Sequence, residues 1–574
     1  MEINHDEILP SVSPLSNLGD YEKARDDFNW EEIERHFTWY ETGNCNMAFE
    51  AIDRHVIEGR GEKIALLYSD AHREESYTFR QLRDQSNQFG NILRKYGIGK
   101  GDRVFIFMPR SPELYICLLG VLKIGAVVGP LFEAFMETAV KERLEDSGAV
   151  ALITTSVLLE RVSRSELPEL RHVIIVDDTE EQHDSVIGYR EEMDLASMEL
   201  EIEWLDRNDG LIMHYTSGST GKPKGVYHVH NAMIQHYYSA QIVLDLREDD
   251  IYWCTADPGW VTGTSYGIFA PWLSGVTNVV RGGRFSPQDW YATIDKYKVT
   301  VWYSAPTAFR MLMGAGDDII SNYELSSLRH VLSVGEPLNP EVVRWGFKTY
   351  GQRIHDTWWM TETGAQMICN YPGMAIKPGS MGRPLPGIEA TIKDDKGNTV
   401  PPYTMGNLAI KTSWPAMMNT IWNNTTKYEE YFRVPGWYIS GDSAYMDDEG
   451  YFWFQGRIDD VINSSGERIG PFEVESKLLE HPAVLEAGVI GKPDAIRGEI
   501  IKAFISLREG YDETIELKEE IYRFVKEGLS AHAAPREIEF KAKLPKTRSG
   551  KIMRRVLKAW ELHLPTGDLS TIED

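Results

Sequence analysis

The apolar run Leu211-Ile212-Met213 gives way within three residues to TSGSTGKPKG at 216–225. A strand feeding directly into such a loop constrains the fold strongly, because the strand must be buried while its carboxyl end opens on a ligand. Gly218, Gly221 and Gly225 let backbone N–H groups turn toward an anion. Thr216, Ser217, Ser219, Thr220, Lys222 and Lys224 add further donors, so the loop suits a polyphosphate. It is not a Walker A loop, since Lys222 is followed by Pro223 and Thr216 takes the first glycine position. The bland alternative is a Gly/Ser surface loop. The same pattern, a strand leading into a polar loop, is expected at 330–334 and 353–357, with further strands at 103–107 and 173–176 among helical patterns. Alternating strand and helix argues for an α/β fold with parallel sheets, whose ligands sit beyond the carboxyl ends of the strands.

The length of 574 residues exceeds one ordinary core, so two or more domains are expected. With 60 basic against 87 acidic side chains the net charge is −27, which repels nucleic acid and anionic membranes. Anionic ligands therefore need local positive sites. Cys45, Cys117, Cys254 and Cys369 form no CxxC pair and read as reduced core thiols rather than a disulfide frame or zinc site. The acidic start MEINHDEILP does not read as a secretory signal. Leu114 to Phe132, interrupted by Lys123, reads as a buried helix and strand rather than a membrane span. A cytoplasmic protein is expected.

From about 381 to 456 the texture changes to Gly/Pro turns and period-2 strands, with WYISGDSAYMDDEGYFWFQG reading as strand, turn, strand. A fresh α/β pattern follows, with strands expected at Val489-Ile490 and 500–507, and Leu517, Ile521, Phe524, Val525 and Leu529 on one helical face. A boundary is placed at 457–460, between a domain of 1–456 and a smaller one of 461–574. The stretch 541–558 carries eight basic and no acidic side chains. In an acidic chain that excess calls for a partner, a plain solvated face being the alternative.

Six segments follow in order: TSGSTGKPKG, SVGEP (333–337), DTWWMTETG (356–364), YISGD (438–442), GRIDDVINSSGERIGPFEVE (456–475) and PKTRSGK (545–551). Together they resemble the signature series of the AMP-forming adenylating superfamily of acyl-CoA synthetases, carrier-protein adenylation domains and firefly luciferases. TADPGWVTG, SVGEP and DTWW are most similar to its acetyl-CoA synthetase branch, and the match runs from roughly residue 30 onward. The resemblance implies a large N-terminal domain of two parallel-type αβ sheet subdomains plus a β-rich one, and a small mobile α+β C-terminal domain. It also implies a two-step reaction: ATP and a carboxylate, here acetate, give acyl-AMP and diphosphate, and coenzyme A then displaces AMP.

The resemblance carries residue roles with it. Thr216 to Lys224 would cradle the phosphates, with Arg468 serving them and Glu362 holding Mg²⁺. Gly335, Glu336, Pro337, Asp356, Thr357 and Trp358, continuing into Trp359, Met360 and Thr361, would line the adenine slot. Asp442 would accept from the ribose hydroxyls beside Arg457. Lys551 would be the catalytic cation joining carboxylate and α-phosphate, and a target of a lysine acetyltransferase and deacetylase that remove and restore its charge. Asp459 would be the hinge. Thr262, Ser465 and Gly466 would line the pantetheine path, with Lys526 a candidate for the coenzyme A 3′-phosphate. A second Mg²⁺ would use carbonyls of Leu479, His481 and Val484. Val261, Thr262, Val334 and Trp359 would form the acyl pocket, with the Trp359 indole capping it just beyond a methyl group. A short-, medium- or branched-chain acyl-CoA synthetase, a carrier-protein loader and a non-catalytic nucleotide-binding relative are the competing readings. The chain departs from the branch's usual wording at Thr264 (usually His), Met360 (usually Gln) and Ala365 (usually Gly).

Overall fold

A computed structural model describes residues 7–9, 16–177, 186–217, 223–464, 467–494, 497–547 and 551–566. Within them four sheets carry the architecture. An eight-stranded sheet orders its strands Thr420–Ile421, Pro223–Val229, Gly210–Ser217, Val127–Leu131, Arg103–Phe107, Ala151–Thr154, His172–Ile175 and Val186–Gly188. Its neighbours from Gly210–Ser217 onward are parallel; the other two strands are antiparallel additions. A nine-stranded sheet has a parallel centre made of Ile64–Ser69, Thr277–Arg281, Ile251–Cys254, Val301–Ser304, His330–Val334 and Ile354–Trp358.

The strands are nearly continuous apolar runs because helices cover both faces of such sheets. Helix Pro112–Lys123 is the extreme case, with all but one of its residues buried, as the sequence from Leu114 onward suggested. Its last residue, Lys123, is fully buried, and its ammonium lies 2.7 Å from Asp53 Oδ2 and 2.8 Å from Asn87 Oδ1.

The β-rich stretch forms an antiparallel sheet of Ala390–Lys393, Gly406–Lys411, Trp437–Met446 and Phe452–Arg457. The texture read from 381 is less uniform than expected. Arg383–Pro384 pairs with Ile368–Cys369 at the edge of the nine-stranded sheet, and Thr420–Ile421 joins the eight-stranded one. Two-residue strands carry no period, so which sheet they extend is decided by tertiary contact.

After Arg457 comes a short 3₁₀ turn, Ile458–Asp460. The chain then enters a five-stranded sheet of Glu467–Ile469, Ile462–Ser464, Gly498–Leu507, Val484–Asp494 and Glu537–Phe540. Helices Pro471–Leu479 and Ile515–Gly528 accompany it, around a separate core that includes Val474, Leu478, Ile521 and Val525. Phe524, expected on the buried face, instead packs edge-on to His481 at 5.1 Å.

A lone charge left in such an interior is costly. Asp53→Ala, which strands the Lys123 ammonium, is expected to lower unfolding free energy by about 3–5 kcal/mol. Urea denaturation would check this, with the exposed-side substitution Arg80→Ala as a control near zero.

Candidate active site

The carboxyl ends of three strands meet the antiparallel sheet at one cleft. Strands Gly210–Ser217 and Pro223–Val229 form a hairpin that sets Thr216 opposite Lys224. Gly218, Ser219, Thr220, Gly221 and Lys222 lie outside the described residues, as do Ser465 and Gly466. Thr216 Oγ1 is buried with no partner among the described residues, an unused donor at the mouth of the loop. Lys224 Nζ donates to Glu362 Oε1 at 2.6 Å. Burial opposes ionisation of Glu362, but the Lys224 ammonium more than offsets it and holds that carboxyl below its ordinary range.

Tyr431, which no motif marked, joins this pair. It ends helix Thr425–Tyr431, accepts from Lys224 Nζ and donates to Glu362 Oε1 at 3.0 Å. Its ring stacks on Tyr438 at 5.3 Å, which holds the hydroxyl in place. The only sequence signal was position: a tyrosine shortly before YISGD.

On the nine-stranded sheet, His330–Val334 ends at Gly335, whose φ of +91° only glycine adopts without strain. That turn exposes Gly335 and leaves Glu336 and Pro337 half-buried at the rim. The Glu336 carboxylate is committed, accepting from Thr307 Oγ1 at 2.7 Å and Arg310 Nη2 at 2.8 Å.

Residues of Ile354–Trp358 alternate in direction. Trp358 Nε1 donates to Asp442 Oδ2 at 2.9 Å, while Thr357 faces the core, donating to Ser333 O at 2.8 Å beside Tyr303 Oη at 2.7 Å. The hydroxyl of Thr357 is therefore unavailable to a nucleotide, which it can meet only through its backbone. Burial pushes the Asp356 carboxyl well above the usual range, and its Oδ1 has no partner among the described residues. Thr361 O accepts from His228 Nε2 at 2.7 Å, and Met360 Sδ accepts from the Tyr438 hydroxyl at 3.5 Å.

Asp442 and Arg457 face each other across adjacent strands, and Arg457 Nη1 donates to Asp442 Oδ1 at 2.8 Å. Lys551 approaches the same place from beyond the 3₁₀ turn. Its side chain is exposed. Partial loss of hydration lowers its pKa from the ordinary lysine value; Arg457 adds to the depression, while Glu336 and Asp442 oppose it. The basic excess of 541–558 is partly paired with carboxylates. Lys541, Lys546, Arg554 and Lys558 face Glu539, Glu486, Glu475 and Glu499, whereas Lys551 makes no ion pair among the described residues.

Other expected residues fall elsewhere. Arg468 lies 3.7 Å from Asp395, an exposed pair across the boundary, rather than beside Lys224 and Glu362. Lys526 is exposed on helix Ile515–Gly528, and Asp459 is exposed within the 3₁₀ turn. At the turn expected to hold a second Mg²⁺, Val484 O accepts from the Arg508 guanidinium at 3.1 Å and His481 O from Val484 N at 3.0 Å. Each of these carbonyls keeps a second lone pair, so the Leu479, His481, Val484 site stays an expectation. Among the described residues no three acidic, His or Cys side chains cluster for a metal. Glu362 suits Mg²⁺, which takes one or two carboxylates and completes its shell with substrate phosphates and water.

The pocket side is apolar. Trp359 stands edge-on to Tyr266 at 5.0 Å and donates to Tyr303 Oη at 3.2 Å, in one cluster with Val334 and Val261. Thr262 lies on the short helix Val261–Thr264. Thr264 Oγ1 donates to Val261 O at 3.0 Å and meets His214 Nε2 at 2.7 Å. An imidazole thus remains beside position 264, supplied by strand Gly210–Ser217; burial holds His214 neutral, with its pKa near 3.

Residues 53–422 match the AMP-binding enzyme family and residues 473–551 the AMP-binding enzyme C-terminal domain. The chain belongs to the AMP-binding enzyme family. It is 67% identical to the acetyl-coenzyme A synthetase of Bacillus subtilis (strain 168), covering 99% of each chain. It is 40% identical to that of Methanothrix thermoacetophila over 93% of this chain and 86% of the relative. Among solved structures, a Brucella canis acyl-CoA synthetase aligns with TM-score 0.75 at 37% identity, covering 95% of this chain and 99% of that one. An anthranilate CoA ligase in complex with anthranoyl-AMP aligns with TM-score 0.83 at 32% identity, covering 91% and 98%.

Within this family member, Tyr431→Phe removes a hydrogen bond to Glu362 and one from Lys224. The expected result is a fall of about three- to tenfold in kcat/KM for ATP, as for one or two modest hydrogen bonds. Steady-state kinetics at saturating acid and thiol would read it, with no change expected in the KM for coenzyme A.

Proposed function

We propose that this chain is an AMP-forming acetate–CoA ligase. ATP and acetate give acetyl-AMP and diphosphate, and the thiol of coenzyme A then displaces AMP to give acetyl-CoA. The observation that carries the reading is the 67% identity, over 99% of each chain, to an acetyl-coenzyme A synthetase, and the charge of Lys551 also interacts with those of Glu336, Asp442 and Arg457. A cation brought to a nucleotide cleft can join two mutually repelling oxyanions, the acid carboxylate and the α-phosphate. No enzyme nucleophile is required, and catalysis comes from positioning and charge neutralisation.

Each group then has a task. Asp442, held by Trp358 and Arg457, presents a carboxylate edge for ribose hydroxyls. The loop ending at Lys224 receives the phosphates, and Glu362 would hold Mg²⁺ against them. When bound, the ion supplies positive charge that neutralises the β- and γ-phosphates. Lys551 must be present for the first step and withdrawn for pantetheine to enter, with 457–460 the hinge between 1–456 and 461–574. Thr262, Ser465 and Gly466 would line the thiol's path, and Lys526 is a candidate for the 3′-phosphate.

Two observations support acetate as the acid: the 67% identical acetyl-coenzyme A synthetase and the Trp359 indole, edge-on to Tyr266 in one apolar cluster with Val334 and Val261. The exposed side chain of Lys551 is open to acetylation, which would remove the charge that step one uses. The four cysteines are free and buried, consistent with a cytoplasmic protein. No described helix is long and apolar enough to cross a membrane.

Diphosphate release with acetate, propionate, butyrate and isobutyrate, each with and without coenzyme A, tests the reading. Acetate should lead and propionate follow, because one methylene is worth only about 1–3 kcal/mol of selection; preference for isobutyrate or butyrate would overturn the choice of acid. Lys551→Ala should abolish adenylate formation while sparing thioester formation from supplied acetyl-AMP, and equal loss in both would refute its role. Trp359→Gly should move the optimum toward butyrate and longer acids; an unmoved optimum would place the indole elsewhere.

A further inference from the structure

Asn339 precedes helix Pro340–Tyr350 at the position where an asparagine ordinarily caps the first turn, and its side chain makes no cap bond. The residue is 3% exposed, and its amide is used at longer range. Oδ1 accepts from Arg310 Nη1 at 3.2 Å. Nδ2 donates to Ser476 Oγ at 3.0 Å, across the boundary between the large body and the unit that carries Lys551.

Both ends of this link lead back to the reaction centre. On the large body, Arg310 Nη2 donates to Glu336 Oε2 at 2.8 Å and to Thr307 Oγ1 at 2.6 Å. The guanidinium thus ties Asn339 to the exposed turn at Gly335-Glu336. On the other side, Ser476 lies on helix Pro471–Leu479 next to Glu475. Glu475 Oε1 accepts from Arg554 Nε at 2.8 Å, and Arg554 also faces Asp460 of the connecting turn at 3.6 Å. Arg554 is three residues beyond Lys551, whose charge is influenced by Glu336. Hydrogen bonds run from Glu336 through Arg310 and Asn339 to Ser476, and from its chain neighbour Glu475 to Arg554 on the segment bearing Lys551.

We propose that Asn339 and Ser476 are positioning residues for adenylate formation, their hydrogen bond seating helix Pro471–Leu479 so that Lys551 faces the nucleotide cleft. This rests on the ligase reading above. The other boundary contacts lack this directionality. Arg468 and Asp395 form an exposed pair of little worth, and Phe454 against Phe472, 5.9 Å between centroids, fixes no register. A single neutral hydrogen bond also has a suitable strength for a contact broken in every cycle, at most about tenfold in equilibrium.

The test uses the full chain as wild type, Asn339→Ala, Ser476→Ala and the double variant. Acetate-dependent ATP–diphosphate exchange reads the first half-reaction, and conversion of supplied acetyl-AMP to acetyl-CoA reads the second. Each single substitution should lower exchange about three- to tenfold, and the double should lose no more than the greater single. Thioester formation should stay at the wild-type rate or rise. Equal losses in both half-reactions, unchanged exchange, or multiplied losses in the double would overturn the proposal. Ser476→Ala replaces a half-buried helix residue with a better helix former, so it keeps the test valid if Asn339→Ala fails to fold. A wild type that exchanges with no short-chain acid would instead overturn the ligase reading, and the positioning role with it, which tells the two failures apart.

Discussion

The pairing of Asp442 with Arg457 is the constraint on which the site depends. The two residues are register partners on adjacent antiparallel strands, so sheet geometry brings their side chains together. Asp442 is 4% exposed, and a polar group so enclosed needs hydrogen-bond partners. Arg457 Nη1 and Trp358 Nε1 supply one each, on opposite oxygens. Through Trp358 the pair ties the antiparallel sheet to the nine-stranded one. Arg457 is also the last strand residue before the 3₁₀ turn, and its carbonyl accepts from Val461 N at 3.1 Å. One ion pair therefore fixes the proposed ribose site and the point from which the smaller unit departs.

That placement also governs Lys551. Arg457 opposes a second cation nearby, and Glu336 and Asp442 favour it. The balance leaves the ammonium attracted to the cleft yet without a fixed carboxylate partner, a state in which an incoming anion is the best available ligand. Lys224 shows the contrasting case: bound to Glu362 and Tyr431, it is held in position before any phosphate arrives. An acidic protein can attract anionic substrates only through such local arrangements.

Much of this was legible in the sequence. Strands at 103–107 and 330–334 follow from apolar runs, which are how parallel strands appear in sequence, and the strand expected at 353–357 lies one residue later, at Ile354–Trp358. Motif residues such as Glu362, Asp442, Arg457 and Lys551 could be located because each lies in a fixed phrase. What escaped is what depends on distant segments meeting. Tyr431 lies 69 positions from Glu362, and Arg383–Pro384 chooses its sheet by contact alone. The direction of Thr357 needed the pleat: only with Trp358 anchored on Asp442 does its neighbour turn to the core. Thr264 shows the same limit, since its histidine partner comes from position 214, fifty residues earlier in the chain.

The character of the boundary between the two units bears on motion. Each unit has its own apolar core, and the smaller one closes around Val474, Leu478, Ile501 and Val525 without help from the larger. Contacts across the boundary include single polar ones, Asn339 with Ser476 and Arg468 with Asp395, beside the apolar pair Phe454 with Phe472. The polar ones contribute direction rather than bulk stability, because exposed pairs and lone neutral hydrogen bonds are each worth about 1 kcal/mol or less. The connecting turn Ile458–Asp460 buries none of its residues, so turning about it disrupts no core. On the proposed mechanism a cation is delivered and then withdrawn, and a unit with its own core, joined to its neighbour partly by single polar contacts, suits that task.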